Sequence, residues 1–545
     1  MRKRLSWSRL LLLAPTVFFV FGYILYPLGR LLLVGTSEAG VPALLHRPQL
    51  LAACLNSVLL SLLTVLGSAI IGTYFAHAFR YHNIGGKRFF ATLFLLPIAV
   101  PPMVGAMAFL FLLGENGLIM KGLNLPHFHF KGWPALLTIH FYSFYPLFYL
   151  FVGNALRTLD GSTLEAAYVL GTRQTAIFWR IVLPQLRPAL LSASLLTFMA
   201  SMASFSAPFL FGGAERFLTT EIYYAKVNGD TSLSALLALL LAAISVVFLL
   251  LFRRYGQLLP AVATTKGTAK STAYLAGYRR FSWSGTLLAG AFGLLLLLPV
   301  GSLLLISLIP DNALMQAGLH FTLSLANYRL LLQDSELLMP FLNSVQAAFL
   351  AVALTGLLGL ALAHLIRRRP TVLSSLLELT AALPYGIPGT VIGIGLLLSF
   401  SLPSVFAFNH ALIGTLWILP VAYTVRNLPV LTQAVKVGLH GIDASVEEAA
   451  GSLGAGPFRT WRTITLPLLF PALAEGSLLV FINSFGEFVA TVLLYSYATK
   501  TLPIEVYAQL RLFNNGMAAT YGVVLFGIVL GVIALTRRVV RSTGG

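Results

Sequence analysis

The chain is built from long apolar segments separated by short polar loops, and each segment is long enough to cross a bilayer. A spanning helix needs about 20 residues. Six such segments lie at 10–33, 54–79, 89–113, 135–156, 187–212 and 232–252, and six more at 284–309, 341–366, 373–400, 411–433, 471–494 and 518–536. Because 58% of the residues are apolar and mean hydropathy is +0.86, a soluble domain is excluded. We predict an all-α polytopic membrane protein with twelve transmembrane helices.

The two halves of the sequence repeat one another. The motif LPIAVP at Leu96 returns as LPYGIP at Leu383, and shorter matches accompany it at the same offset of 287 residues. An even number of helices per unit makes the copies parallel. We therefore predict a first six-helix unit at 1–252, a cytoplasmic linker of small and polar residues at 253–283, and a second six-helix unit at 284–545.

The longest repeated segment lies in a polar loop of each half, at about 157–186 and about 434–469. It reads EAAYVLGTRQTAIFWRIVLP from Glu165 and EAAGSLGAGPFRTWRTITLP from Glu448. A serine three residues before each glutamate predicts a capping box, paired alanines predict a thin helix face, and a glycine predicts a turn. These positions are Ser162, Glu165, Ala166, Ala167 and Gly171 in the first copy and Ser445, Glu448, Ala449, Ala450 and Gly454 in the second. Each copy is either a capped hairpin at the membrane surface or a docking element for a partner.

The net charge of +19 comes from basic residues whose distribution indicates membrane topology rather than nucleic-acid binding. Basic residues favour the cytoplasmic ends of membrane segments, and most of them flank alternate loops of this chain. We predict that both termini and both repeated loops are cytoplasmic, that the surroundings are lipid, and that nucleic acid is not a partner. Residues 1–26 resemble a secretory signal, but RLSWS at Arg4 recurs as RFSWS at Arg280, so we predict a retained first helix.

The repeated segments resemble the EAA motif of type I bacterial ABC importer permeases. Two copies in one chain resemble the fused permeases of ferric iron and thiamine importers. The segments SFGEF at Ser484 and LPIEVYAQL at Leu502 are more similar to the ferric iron branch. The resemblance implies a multi-pass permease of the bacterial cytoplasmic (inner) membrane that moves a small solute, ferric iron first. Thiamine, phosphonate, polyamine and inorganic anions are the alternatives.

The same resemblance implies a division of labour between subunits. Two copies of a cytoplasmic ATPase each receive one loop, and a periplasmic or lipid-anchored binding protein delivers the solute. ATP and Mg belong to the ATPase, and no cofactor or metal is expected on this chain. The chain is not expected to be an enzyme, since it lacks the phosphate-binding sequence G-x-x-x-x-G-K-[ST].

Candidate residues of a translocation path come from polar groups and helix breaks inside apolar segments. Glu487 is the foremost, because an ionisable group within a membrane is costly and defaults to a functional hypothesis; its repeat counterpart is Ser204. Prolines that free backbone carbonyls mark two equivalent breaks, at Pro97, Pro101, Pro384 and Pro388. A carboxyl satisfied by a neighbouring helix, and ordinary kinks, are the plainer alternatives.

Other polar residues carry weaker predictions. His77 and His364 are expected to anchor at an interface, Glu378 and Glu475 to lie near a cytoplasmic boundary, and His127 and His129 to be too few for a metal site. An ion-coupled secondary transporter centred on Glu487 is the rival from another class, but it leaves the duplicated loop unexplained. A membrane enzyme would need a cluster of His, Cys or paired carboxylates that the apolar segments do not show.

Overall fold

The part of the chain that the structure describes is predominantly helical. This computed structural model describes residues 7–37, 48–115, 117–123, 129–159, 161–258, 281–311, 322–368 and 371–543, and within them β structure is limited to two isolated bridges. The predicted all-α class is therefore confirmed. Most of the predicted linker, and His127, lie outside the described residues.

The helices of the first half follow the predicted apolar segments, with short helices between them. In chain order they are α1 (Trp7–Val20), α2 (Tyr26–Gly35), α3 (Pro48–Tyr81), α4 (Lys87–Leu93), α5 (Leu96–Ala99), α6 (Pro102–Leu113), α7 (Leu118–Gly122), α8 (Gly132–Thr158), α9 (Gly161–Val169), α10 (Gln174–Ile177), α11 (Leu183–Gln185), α12 (Arg187–Met202), α13 (Ser206–Phe211), α14 (Leu218–Val227) and α15 (Thr231–Leu258).

The second half repeats this order. Its helices are α16 (Trp283–Ser307), α17 (Ala326–Gln333), α18 (Ser335–Arg368), α19 (Val372–Ala382), α20 (Gly389–Phe400), α21 (Ile418–His440), α22 (Ala444–Ser452), α23 (Pro457–Thr460), α24 (Leu466–Phe485), α25 (Thr491–Leu494), α26 (Leu502–Arg511) and α27 (Asn515–Thr543). Short π-helical turns at Phe178–Val182 and Trp461–Thr465 occupy equivalent places in the two halves.

Within the described residues, length and hydropathy alone identify fewer spans than the predicted twelve. Among the described residues, nine helices are long and apolar enough to cross a membrane, or up to eleven if each of two bent pairs counts as one span. Helix α21, which corresponds to the predicted segment 411–433, is outside that set. It carries Arg426 and Asn427, and most of its residues are buried by other helices, so it has little need of an apolar surface.

The first helices of each half pack against the opposite half. Helix α1 lies on α18, and α2 lies between α15 and α20, while α16 lies on α6 and α27. The Tyr23 hydroxyl donates to the Phe406 carbonyl oxygen at 2.7 Å, and the Phe292 ring stacks on Phe75 with centroids 4.5 Å apart. These contacts bury aromatic surface from both halves at two separate places, so the two units form a single helical body.

Candidate coupling loops and central cavity

The first repeated loop is a helical hairpin whose short first helix is α9. Ser162 is the second described residue of α9, which is described from Gly161 onward. Because position 160 lies outside the described residues, the capping box in this copy stays a prediction. About one turn after Ser162, Glu165 is half-buried and the next residue, Ala166, is exposed.

The second loop shows directly which residue caps its helix. Asp443 is the N-cap of α22, and its Oδ1 accepts a hydrogen bond from the Ser445 backbone N–H at 2.9 Å. That bond lowers the pKa of the Asp443 carboxyl, since it favours the charged form. Ser445 therefore donates a hydrogen bond to the N-cap residue and is not the N-cap itself, so the predicted capping box between Ser445 and Glu448 is wrong. Aspartate prevails because its two acceptor oxygens stand one residue before the helix.

Both short helices end in the same left-handed glycine turn. Gly171 has φ +78° and Gly454 has φ +80°, a backbone region that costs little only for glycine. In each copy the next residue closes the turn. Thr172 donates its N–H to the Ala167 carbonyl at 3.1 Å, and Ala455 does the same to Ala450 at 3.0 Å. This is a Schellman-type ending, so the predicted glycine turn is confirmed in both copies.

Each turn presents an apolar side chain to the outside. Leu170 is 83% exposed and Leu453 is 88% exposed, immediately before the left-handed glycine. Ala449 and Glu448 are exposed in the second copy, whereas Ala450 and half of Ala167 are covered by the hairpin itself. Both leucines lie at the same place on a turn of the same geometry, so the two copies present matching apolar side chains.

The two hairpins close on themselves by different chemistry. In the first, Leu164 and Val182 are both buried in one apolar cluster. At the equivalent positions of the second, the Thr465 hydroxyl donates to Glu447 Oε1 at 3.0 Å. Helices α10 and α23 begin at equivalent residues, and Pro457 is the first residue of α23, where a missing backbone N–H costs little. The copies diverge later, where the first chain bends by 64° after Gln185.

A cavity of about 410 Å³ lies where the two halves meet. Its wall includes residues 98–102 from the first helix break and 384–389 from the second, so equivalent segments face each other across it. Ile98 and Tyr385 occupy equivalent positions and are 49% and 56% exposed. The second break turns the chain by 114°, which brings its backbone to the cavity instead of continuing a straight helix.

The structure brings four of the six predicted pathway residues to this cavity. Glu487, Pro101, Pro384 and Pro388 line it. Pro97 is buried and does not line it, although Ile98 and Ala99 of the same helix do. Ser204 likewise lies away from the wall.

Glu487 is paired with an arginine that the sequence predictions did not include. Arg426 of α21 donates from Nη1 to Glu487 Oε2. The other carboxylate oxygen accepts the Ala490 backbone N–H at 2.7 Å. The Arg426 side chain is 29% exposed and that of Glu487 is 10% exposed. Arg426 stands inside the predicted segment 411–433, so the rule that selected Glu487 also selects it.

Two carboxamides extend the polar wall beside this pair. Asn483 donates from Nδ2 to Asn427 Oδ1 at 3.0 Å, and Asn427 donates to the Tyr423 carbonyl at 2.9 Å. Both amides line the cavity. Neither residue has an unusual pattern in the sequence, so only the fold places them together.

Ser204 belongs to a separate polar cluster in the first half. The Ser204 hydroxyl lies 3.1 Å from His140 Nε2, and Nδ1 of the same ring lies 2.9 Å from Thr64 Oγ1 and 3.1 Å from Ser201 Oγ. His140 is 1% exposed. With every ring nitrogen partnered, the cluster satisfies a buried imidazole and joins α3, α8 and α12.

The remaining polar candidates have structural partners. The His77 ring packs edge-on against Phe178 of the first hairpin with centroids 4.9 Å apart, and Glu378 accepts from Lys436. His129 lies 3.0 Å from Glu115 Oε1. The described residues contain no group of three or more His, Cys, Asp or Glu placed to hold a metal ion.

Two repeated helical units meet at one cavity, and each carries a similar exposed hairpin, an arrangement that fits a membrane transport permease. The family of binding-protein-dependent transport system inner membrane components matches residues 68–259 and again 355–543. The chain belongs to this family and carries its unit twice. It is the membrane-embedded subunit of an ABC importer of the inner membrane, a class that works with an ATPase and a binding protein.

Curated relatives align along nearly the whole chain. A probable ABC transporter permease protein y4fN of Sinorhizobium fredii is 28% identical over 98% of this chain and 95% of its own length. The ferric transport system permease protein FbpB of Actinobacillus pleuropneumoniae is 26% identical over 90% of this chain and 71% of its own. The Fe(3+)-transport system permease protein FbpB 2 of Haemophilus influenzae is 28% identical, over 88% of each chain.

Proposed function

We propose that this chain is the permease of a ferric iron importer. The observation that supports the cargo is that relatives named for ferric transport align with both units of the chain, over 88% and 90% of its length. An external binding protein delivers the iron, and ATP and Mg act on a separate ATPase. The chain itself is a transport subunit and not an enzyme.

The two hairpins are proposed as the ATPase coupling sites. Each presents one leucine, Leu170 or Leu453, beside a left-handed glycine whose geometry fixes the direction of the turn. Two equivalent surfaces fit two copies of one ATPase. Since ATPases of this class are cytoplasmic, the proposal places both hairpins and both termini on the cytoplasmic side.

The cavity is proposed as part of the translocation path. Equivalent breaks from the two halves face each other there, so a rocking motion of one half against the other changes the width between them. Glu487, Pro101, Pro384 and Pro388 form its wall. Pro97 and Ser204 support neighbouring helices instead. The unit boundaries at 1–252, 253–283 and 284–545 belong to the same proposal.

The cargo is tested by uptake into proteoliposomes that contain this chain, its ATPase and its binding protein. Radiolabelled iron, thiamine, 2-aminoethylphosphonate and molybdate are each offered on the binding-protein side with ATP inside. The proposal expects ATP-dependent accumulation of iron and not of the other three. ATP-dependent accumulation of another solute with no iron uptake contradicts the cargo and leaves the class unaffected.

A further inference from the structure

The cavity wall includes a positively charged side chain, Arg426, and most of its hydrogen-bond donors are unused within the described part of the chain. Arg426 has five guanidinium N–H donors, and Glu487 is its one hydrogen-bond partner among the residues that the structure describes. Arg426 and Glu487 both line a cavity of about 410 Å³, and the Arg426 side chain is nearly three times as exposed as that of Glu487, 29% against 10%. The more accessible member of this ion pair is therefore the positive one.

Glu487 is poorly placed to receive a cation from the cavity. One of its oxygens accepts from Arg426 and the other from the Ala490 N–H at 2.7 Å. A metal ion would have to displace one of these donors and lie beside the guanidinium. In a partly dehydrated cavity that repulsion is stronger than in water. The ion pair of Arg426 and Glu487 therefore disfavours binding of a bare metal cation.

The neighbouring groups favour oxygen acceptors. Asn483 uses one N–H of its side-chain amide to bond Asn427, and the second N–H of that amide stays at the cavity wall. A guanidinium with an adjacent amide N–H is a donor set suited to carboxylate or phosphate oxygens.

A glycine makes room for the guanidinium. A Cβ atom on Gly389, the first residue of α20, would lie 2.9 Å from Arg426 Cζ and 3.0 Å from its Nη1. A side chain at this position therefore has to displace the guanidinium. Position 389 and Arg426 together set where the positive charge faces the cavity.

We propose that Arg426 is the recognition group for an anionic, oxygen-rich cargo in the central cavity. If the cargo is iron, as the proposed function holds, it crosses as a negatively charged complex with oxygen ligands, and not as a bare cation. Glu487 holds Arg426 in position, and Asn483 adds a second donor. A cavity of about 410 Å³ is within the usual range for a small-molecule site.

The test is equilibrium binding to the full chain in lipid nanodiscs, measured calorimetrically without ATPase or binding protein. The probes are ferric citrate, inorganic phosphate and hexaamminecobalt(III), a trivalent cation that keeps its own ligands. The wild type is expected to bind at least one of the two oxygen-rich anions and to bind hexaamminecobalt more weakly. Arg426→Gln is expected to lower that anion affinity at least about tenfold, and Glu487→Gln to preserve or raise it.

Two further variants separate recognition from folding. The double variant R426Q/E487Q removes both charges and avoids leaving one buried carboxylate unpaired; it is expected to stay folded and to have lost anion binding. Gly389→Ala keeps both charges but moves the guanidinium, and is expected to weaken anion binding. Lys436→Gln removes a cation outside the cavity wall and is the matched control, with unchanged affinity.

Anion affinity that is equal in wild type and R426Q overturns the proposal. So does binding of hexaamminecobalt that depends on Glu487 and exceeds anion binding. These results are independent of the cargo assignment. Anion binding without iron uptake would leave the site in place and remove iron as its cargo, whereas iron uptake that R426Q leaves intact would keep iron and remove the site.

Discussion

Arg426 donates to Glu487 at the wall of the central cavity, and the equivalent positions of the first half hold Ser143 and Ser204. The equivalence follows from the offset of 283 residues that also aligns Pro146 with Pro429. The ion pair is thus present in the second half alone, while the first half has a neutral cluster around His140. The cavity is built by two repeated units but has one charged side.

The ion pair should matter more to stability when it is broken than when it is removed. In R426Q the Glu487 carboxylate stays largely buried without its counter-ion, and about 3 kcal/mol of unfolding free energy is expected to be lost. The double variant R426Q/E487Q should lose clearly less. Unfolding midpoints in nanodiscs measure both. A double variant as unstable as the single one would show that the pairing contributes nothing beyond packing.

The left-handed glycines are expected to be needed for coupling. Alanine at Gly171 or Gly454 strains the turn by about 1 kcal/mol and redirects the preceding leucine. Binding-protein-stimulated ATP hydrolysis should fall several-fold while the protein still purifies as a folded species. Gly153, in the C-terminal part of α8 with open space around it, is the control, and Gly153→Ala should leave hydrolysis unchanged. Full stimulation in both turn variants would argue against the coupling role.

The exposed leucines should determine assembly with the ATPase rather than stability. Leu170→Ser and Leu453→Ser remove apolar surface that is already in water. The free energy of unfolding is therefore expected to stay within about 0.5 kcal/mol of that of the wild type. Retention of the ATPase during co-purification should drop with each variant and drop further with both. Leu402→Ser, at a residue that is 68% exposed elsewhere, is the comparison. Equal loss in that variant would point to a general surface effect.

The second hairpin should remain folded when its polar contact is replaced by the apolar pair found in the first hairpin. Thr465→Val alone removes the hydroxyl that donates to Glu447, and about 1 kcal/mol of local stability is expected to be lost. The double variant E447L/T465V copies the Leu164 and Val182 pair and should recover part of it. Hydrogen exchange of residues 444–465 reports the local opening. Additive losses in the double variant would mean that the two closures are not interchangeable.

The cap of α22 predicts a pH response. Because the folded-state pKa of Asp443 is lowered, its stabilisation is complete above the unfolded pKa and is lost as pH falls through the folded one. The free energy of opening α22, obtained from exchange rates corrected for their intrinsic pH dependence, should therefore be independent of this group from pH 8 to about pH 5 and should fall in more acidic buffer. Asp443→Asn, which caps without titrating, should remove the acid response. A response that persists in this variant belongs to another group.

Much of the fold was predictable because membrane burial acts on residue type alone. The long apolar segments correspond to helices, and the proline pairs to breaks at one cavity. The span count was less secure. Helix α21 is sheltered by its neighbours, so it can carry Arg426, Asn427 and Lys436 and still lie inside the bundle. Hydropathy alone cannot distinguish such a sheltered helix from a helix that does not span the membrane.

The site was only partly predictable, because its chemistry joins residues far apart in sequence. The glycine turns follow from local backbone rules, and Glu487 from the cost of a buried charge. Arg426 was available to the same rule but was missed. The contacts of His140 with Thr64 and Ser201, and of Asn483 with Asn427, depend on helix packing that no local pattern records. The capping error arose because Asp443, and not Ser445, stands at the helix boundary.

We propose that this chain performs ATP-driven uptake and that both hairpins are needed for it. The direct measurement is iron uptake and ATP hydrolysis in the same proteoliposomes, comparing wild type with a variant altered at Glu165, Gly171, Glu448 and Gly454. We predict that the variant inserts and folds but loses both binding-protein-stimulated hydrolysis and uptake. Uptake that continues without ATP, or with all four positions altered, would contradict the account and return attention to ion-coupled transport centred on Glu487.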